Sequence, residues 1–322
     1  MLDADLVLEG GGVKGIGLVG AISVLEEHGY QFHRVGGTSA GAIVGSLVAA
    51  GMTAQRMQDV MRSVAYRRFR DPNLLDLLGP GGQALSVLVH NGIYRGDYLK
   101  GWLTEQLSDL GVSSFEDLVV VDPESSLPPD RSYRLVVMTS NLSDNRLARL
   151  PWDYPGLGAN ANQQLVVDAV RMSMSIPFFY EPVNFRGRCF VDGGMLSNFP
   201  VEVFDRTDGR PPRWPTFGIK LSGRASSDPA RAPRGVGGPL GLVKAMVATM
   251  TSFYDRMHLD DPGVLDRTIF VDCGHVQPTD FDLTKTDQDM LYENGRRAAE
   301  KFLETWDFDA YVHKHRPETL VA

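Results

Sequence analysis

Apolar residues near the start of the chain occur in short runs, and each run ends in glycines. Residues 6–8 (Leu-Val-Leu) form one such run, and a second is centred on Val35. Each is followed by a glycine-rich stretch and then by apolar residues at helical spacing, at 16–28 and 42–50. Short buried strands that alternate with helices are typical of a parallel α/β sheet. The pattern therefore predicts two successive strand–turn–helix units in the first 51 residues.

Later segments extend the same α/β architecture. Further strands are expected at 133–140, 189–191, 217–221 and 268–272, and further helices at 53–68, 97–110, 164–174, 240–258 and 285–305. A stretch rich in Gly, Pro, Arg and Ser at 223–239 is expected to be a loop, because glycine and proline interrupt regular structure. We expect one domain over 1–322, with a motif-bearing core at about 5–275 and a C-terminal helical extension at 276–322.

Composition and charge exclude several classes of protein. Hydrophobic residues make up 43% of the 322 residues and charged residues 22%, which is ordinary for a globular protein. The formal net charge of −8 argues against a nucleic-acid partner, since such proteins neutralise phosphates with Lys and Arg. Two cysteines are too few for a disulfide scaffold. The N-terminus is acidic, and no apolar run approaches the roughly 20 residues of a membrane span, so we expect a cytoplasmic location.

The first glycine-rich turn supports three interpretations. It matches the pattern G-x-G-x-x-G between a strand and a helix, with the residues Gly10, Gly11, Gly12, Val13, Lys14 and Gly15. In dinucleotide-binding proteins an acidic residue about 20 positions further on holds the ribose, but residues 30–37 contain no acid. The turn is otherwise purely structural, or it is an anion hole in which backbone N–H groups at a helix N-terminus hold negative charge.

The second glycine-rich turn contains a serine. It matches the motif G-x-S-x-G, with the residues Gly37, Thr38, Ser39, Ala40 and Gly41. Between a strand and a helix this motif is typical of a nucleophilic serine, and the N–H of the next residue, Ala40, then contributes to an oxyanion hole. The alternative is that Ser39 only caps the following helix.

A nucleophilic serine needs a proton acceptor, and the sequence offers two candidates. Asp192 stands at the end of a predicted strand, directly before Gly193 and Gly194, where its carboxylate can project into a site. His275 follows another predicted strand, and together with Ser39 and Asp192 it would form a hydrolase triad. Asp192 can also be read as an ordinary turn aspartate without a catalytic role.

In this order and spacing, the three motifs resemble the patatin-like phospholipase family. The segment 173–182 (Ser-Met-Ser-Ile-Pro-Phe-Phe-Tyr-Glu-Pro) is similar to the one that precedes the family's aspartate strand, and 198–200 (Asn-Phe-Pro) to the stretch after its Asp-Gly-Gly. The resemblance covers about residues 5–275 and is greatest to stand-alone bacterial members. It implies a three-layer α/β/α fold with a mainly parallel central sheet.

The resemblance also implies a function. It implies hydrolysis of acyl esters of lipids by a Ser–Asp dyad without histidine, metal or other cofactor, with Ser39 as nucleophile and Asp192 as base. The turn around Gly11 and Gly12 is then the oxyanion hole, and Lys14 stands where many relatives carry Arg. We expect a lipid or acyl-ester substrate and transient peripheral contact with membranes.

Three segments are candidates for contact with lipid. The cluster at 66–70 (Tyr-Arg-Arg-Phe-Arg) either meets anionic head groups or provides cations at a helix C-terminus. Four leucines near 75 form a lid or pocket wall, or pack in the core: Leu74, Leu75, Leu77 and Leu78. Four large apolar residues at helical spacing line an acyl groove or pack on the core: Met246, Met250, Phe253 and Met257.

Overall fold

The structure, a computed structural model, describes residues 1–71, 89, 91–125, 127–221, 249 and 261–315. Several predicted features lie outside these residues: the loop at 223–239, the helix at about 240–258, the four leucines near 75, and Met246, Met250, Phe253 and Met257. The remaining predictions can be compared with the structure directly.

A central sheet with strand order β10-β9-β1-β2-β4-β8-β7 organises the molecule, and β5 pairs with β4. Its strands are β1 (Leu2–Leu8), β2 (Tyr30–Thr38), β4 (Leu135–Asn141), β5 (Arg146–Leu150), β7 (Val183–Phe185), β8 (Arg188–Asp192), β9 (Thr216–Lys220) and β10 (Thr268–Phe270). The pairs β1–β2, β1–β9, β9–β10 and β2–β4 are parallel, and β5, β7 and β8 pair antiparallel. The strands β3 (Gly92–Tyr94) and β6 (Phe178–Tyr180) form a separate ladder.

Helices flank this sheet. They are α1 (Ile16–Glu27), α2 (Ala40–Ala49), α3 (Ala54–Ser63), α4 (Asp97–Ser108), α5 (Val166–Ser173), α6 (Pro262–Asp266), α7 (Lys285–Leu303) and α8 (Phe308–His315). The prediction of an α/β fold with a mainly parallel central sheet is therefore confirmed. None of the helices within the described ranges is both long and apolar enough to cross a membrane.

The two predicted strand–turn–helix units are present at β1–α1 and β2–α2. Both helices are buried on nearly every side, since all ten residues from Ile16 to Leu25 and nine of the ten in α2 are buried. The strand order reverses next to β1, because β2 lies on one side of it and β9 on the other. In open α/β sheets, the carboxyl ends of the strands at such a reversal are the usual place for a ligand.

The helix α7, which lies outside the three sequence motifs, packs closely on α1. A Cβ atom added at Gly20 of α1 would lie 2.0 Å from the backbone oxygen of Tyr292 in α7. Only glycine permits the two backbones to approach so closely. The predicted C-terminal helix at 285–305 thus exists and is packed on the first helix of the chain.

Candidate active site

Ser39 occupies a sharp turn between β2 and α2. Its φ of 53° and ψ of −121° are strained for a residue with a side chain, and its side chain makes no capping hydrogen bond to α2. The interpretation of Ser39 as a helix cap is therefore wrong. Tight packing shapes the turn, because a Cβ atom at Gly41 would lie 2.3 Å from the oxygen of Leu8. Ser39 is only 4% exposed, and its Oγ contacts the sulfur of Met174 at 3.6 Å.

Asp192 ends β8, and the two oxygens of its carboxylate differ in their contacts. The backbone N–H of Gly194 donates to its Oδ1 at 2.7 Å, as in an ordinary aspartate turn. Its Oδ2 is buried and has no hydrogen-bond partner in the described part of the chain. Burial raises the pKa of Asp192 to about 6, although the Gly194 amide and the nearby Ser39 hydroxyl act in the opposite direction. A buried carboxylate with an unpaired oxygen is a far better proton acceptor than an exposed one.

The sheet brings Ser39 and Asp192 together by strand register. On β4, Met138 pairs with Thr38 at the end of β2, and the next residue, Thr139, pairs with Asp192 at the end of β8. The strand β5 pairs with residues 137–141 of β4, which overlap the stretches of β4 that pair with β2 and with β8. Because β5 occupies one edge of β4 there, β2 and β8 both lie along the other edge. Because β2 runs parallel to β4 and β8 runs antiparallel, their carboxyl ends face each other.

The first glycine turn presents backbone N–H groups beside this junction. Gly10, Val13 and Lys14 already donate to other backbone oxygens, at distances of 3.0–3.2 Å. In contrast, the N–H groups of Gly11, Gly12 and Ala40 have no acceptor among the described residues. These three N–H groups are thus available as donors for the predicted anion hole. Gly12 has a φ of 58°, and a Cβ atom there would lie 1.9 Å from the oxygen of Pro278.

The last residues of α5 and those directly after it contact both candidate catalytic residues, which the sequence did not predict. The Ser173 hydroxyl accepts a hydrogen bond from the Ser39 N–H at 2.8 Å, and the Asp192 N–H donates to the oxygen of Ser175 at 2.9 Å. The Ser175 hydroxyl is itself held by the Arg171 guanidinium at 2.6 Å. In the sequence, only the resemblance of 173–182 to the family points to this segment, and that resemblance implies no role for the two serines.

Two further contacts connect the glycine turn to its surroundings. The Gly10 N–H donates to the oxygen of Asn198 at 3.1 Å, and the Asn198 amide donates back to the oxygen of Gly10 at 3.3 Å. This links the first turn to the stretch after Asp-Gly-Gly. Glu9, directly before the turn, forms a buried ion pair with Lys220 of β9. The Lys14 ammonium donates to the oxygen of Leu221 at 3.0 Å, so it is held within the fold.

His275 is not brought to the other two members of the proposed triad. Its side chain is 74% exposed, and its Nε2 lies 3.2 Å from Oδ1 of Asp287. No hydrogen bond joins it to Ser39 or Asp192 within the described residues. Nor does the described part of the chain contain a group of three or more His, Cys, Asp or Glu side chains able to hold a metal ion.

Comparison with known proteins identifies the family of this chain. A family model for the patatin-like phospholipases matches residues 6–205, which include the two glycine turns and the end of β8. The chain therefore belongs to the patatin-like phospholipase family. Membership confirms the predicted fold and supports lipid acylhydrolase activity.

Individual relatives range from full-length to partial matches. YqhO of Bacillus subtilis is 34% identical over 308 residues, which cover 94% of this chain and 99% of that protein. The lysophospholipase NTE1 of Scheffersomyces stipitis is 26% identical over 212 residues, covering 61% of this chain but only 10% of that protein. The crystal structure of VipD from Legionella pneumophila has 21% identity and a TM-score of 0.49, covering 94% of this chain and 67% of that one.

Proposed function

We propose that this protein is a serine acylhydrolase that cleaves fatty-acyl ester bonds of lipids, including phospholipids, through a Ser39–Asp192 dyad and an acyl-enzyme intermediate. The observation that supports it most is the placement of the two residues at strand ends that face each other on β4, with one carboxylate oxygen of Asp192 unpaired among the described residues. The exposed His275, paired with Asp287, favours the dyad over a triad.

In the first half-reaction, the Ser39 Oγ attacks the ester carbonyl carbon while its proton moves to the Asp192 carboxylate. The carbonyl oxygen becomes an oxyanion, and the N–H groups of Gly11, Gly12 and Ala40 are the donors that can stabilise it. The bond to the leaving alcohol then breaks, and the alcohol takes the proton from Asp192. An acyl ester of Ser39 remains.

The second half-reaction repeats these steps with water. Asp192 accepts a proton from the water as it attacks the acyl carbonyl, and the same donors hold the oxyanion. Collapse of this intermediate returns the proton to Ser39 Oγ and releases the fatty acid. The buried position of Asp192 suits this role, because a pKa near 6 leaves the carboxylate ionised at neutral pH while increasing its affinity for a proton.

The test is hydrolysis of a fatty-acyl ester by the wild type, Ser39→Ala and Asp192→Asn, together with labelling by a fluorophosphonate. We expect both variants to lose activity by at least about 1,000-fold, and Ser39→Ala to lose labelling, because each removes a group that takes part in bond formation or proton transfer. Circular dichroism checks that each variant is folded.

His275→Ala is the matched control and is expected to keep its activity, because its ring pairs with Asp287 at the surface. A large loss in His275→Ala would favour the triad. Full activity in Ser39→Ala or Asp192→Asn would contradict the dyad.

A further inference from the structure

The helix α5 carries a buried cation, the guanidinium of Arg171. Only 8% of the surface of this residue is exposed. Its three hydrogen bonds within the described residues go to neutral oxygens and not to a carboxylate. Burial lowers the pKa of Arg171 from its usual range, in spite of the carboxylates of Asp71 and Asp97 in the vicinity. Because it is costly to take a charge out of water, stability alone does not account for an arginine at this position.

The guanidinium joins three stretches of backbone. One terminal nitrogen donates to the Ser175 hydroxyl at 2.6 Å, and the other donates to the carbonyl oxygens of Arg95 and Glu181. Arg95 directly follows β3 and Glu181 directly follows β6, so the guanidinium binds both strands of the separate ladder just beyond their ends. A lysine could not replace it, because a compact ammonium lacks the planar fork that donates in several fixed directions at once.

The space for this guanidinium depends on a glycine. Gly96 has a φ of 77°, and a Cβ atom added there would lie 2.4 Å from Nε of Arg171. The ring of Tyr180 also packs near the guanidinium, with 5.4 Å between the ring centroid and the guanidinium carbon. A side chain at position 96 would therefore have to displace the guanidinium from its hydrogen bonds.

From Ser175 the connection continues to the proposed dyad. The Ser175 carbonyl oxygen accepts a hydrogen bond from the Asp192 N–H at 2.9 Å. Between Arg171 and Ser175, the Ser173 hydroxyl accepts a hydrogen bond from the Ser39 N–H at 2.8 Å. This short stretch is thus bound to the backbone of both members of the dyad, and the guanidinium holds its last residue.

We propose that Arg171 is a positioning residue for this site: by holding Ser175 against the ladder of β3 and β6, it fixes the backbone of Asp192 where proton transfer from Ser39 requires it. The proposal rests on the function proposed above and adds a residue that lies outside the three sequence motifs. The hydrogen bonds of Arg171 reach neither member of the dyad directly. Loss of its fork should therefore change the alignment of the dyad and not the binding of substrate.

The test is Arg171→Lys, which keeps the charge but removes the fork. With a fatty-acyl ester we expect kcat to fall about 100-fold and KM to change less than about twofold, since misplacing reacting groups by about 1 Å costs that much in rate. Arg267→Lys is the matched control. Arg267 is also buried and is held by Asp205, but it precedes β10, at the amino ends of the parallel strands and away from the glycine turns. This control should lower the melting temperature and keep kcat.

A second pair of variants leaves Arg171 in place. Gly96→Ala pushes the guanidinium aside, whereas Gly111→Ala has a nearly equal φ, of 75°, and nothing within 4 Å of the added Cβ atom. Both should lower the melting temperature through backbone strain, but only Gly96→Ala should lower kcat. Unchanged kcat in both Arg171→Lys and Gly96→Ala would overturn the proposal, and so would an equal loss of kcat in Arg267→Lys.

Hydrogen–deuterium exchange separates this proposal from the proposed function, because it requires no turnover. Fragments that begin on either side of Asp192 report on its N–H. We expect this N–H to exchange faster in Arg171→Lys than in the wild type or Arg267→Lys, because its acceptor on Ser175 is released. That result in a protein that hydrolyses no ester would support the positioning role and contradict the hydrolase. Unchanged exchange in Arg171→Lys would overturn the positioning role, whatever the activity.

Discussion

The turns after β1 and β2 are both strand–turn–helix connections rich in glycine, yet they present different groups to the same site. The turn at 10–15 offers backbone: its Gly11 and Gly12 N–H groups are free of acceptors in the described part of the chain. The turn at 37–41 offers a side chain, because the strained conformation of Ser39 lifts its Oγ away from α2. In the proposed mechanism, one local architecture therefore serves for charge stabilisation in the first case and for nucleophilic attack in the second.

Gly12→Ala is the strongest test of the first turn. The added Cβ atom would lie 1.9 Å from the oxygen of Pro278, so the loop must move and its donors with it. Losing one donor of an oxyanion hole costs about 100-fold to 1,000-fold in kcat, and we expect a loss in kcat of at least about 100-fold, measured with a fatty-acyl ester.

Gly29→Ala is the control for this change, because Gly29 also has a positive φ, of 86°, but has nothing within 4 Å of the added Cβ atom. It should show only the effect of backbone strain on the melting temperature. Near-normal kcat in Gly12→Ala would refute the assignment of the first turn to charge stabilisation.

The pH dependence tests whether the second turn works with Asp192. As the base, Asp192 must be ionised, and its pKa is raised to about 6. We expect kcat/KM to be level above about pH 7 and to fall about tenfold for each pH unit below 6.

The raised pKa of Asp192 affects stability in the opposite sense to kcat/KM: the free energy of unfolding decreases as the pH rises. The ordinary pKa of this carboxyl is 3.8, so its contribution to the free energy of unfolding is greatest below pH 4 and is lost as the pH rises through 6. Thermal unfolding of the wild type and Asp192→Asn across this range measures it. A difference in stability between the two proteins that does not change from pH 4 to pH 6 would show that the pKa of Asp192 is not raised by burial.

Ser173→Ala should give the smallest of these effects and shows how the second turn is held. It removes the acceptor of the Ser39 N–H, so the strained turn can relax. We expect kcat to fall about tenfold, with KM changed less than twofold and slower labelling by a fluorophosphonate. Ser140→Ala is the control, because Ser140 is also fully buried but its hydroxyl has no partner in the described residues. Equal kinetics for the two variants would mean that Ser173 does not position Ser39.

The turns could be predicted from sequence because each combines a short apolar run, a cluster of glycines and an apolar helix, all of which are local signals. The length of β2 could not, because Tyr30–Thr38 begins with partly exposed residues, most of them polar, that extend beyond the apolar run around Val35. The three-residue strands β3, β6 and β7 are too short to show any periodicity.

For the site, the sequence predicted which residue types are involved but not their contacts. Ser39, Asp192 and the glycines stand in motifs that can be read locally. The hydrogen bond from the Ser39 N–H to the Ser173 hydroxyl depends on groups that meet only after the sheet and α5 have packed. No periodicity in the sequence records such long-range contacts.

The strand β4 supplies neither member of the proposed dyad, yet it determines the separation of the two. Met138 and Thr139 are consecutive residues, and they fix where β2 and β8 end. Sliding β8 by one residue along β4 would displace the carboxylate by about 3.4 Å and turn it to the opposite face of the sheet. A slide by two residues would restore the face but leave a gap of about 7 Å. Substitutions in β4 that loosen this alignment would therefore abolish proton transfer while every residue of the three motifs remained intact.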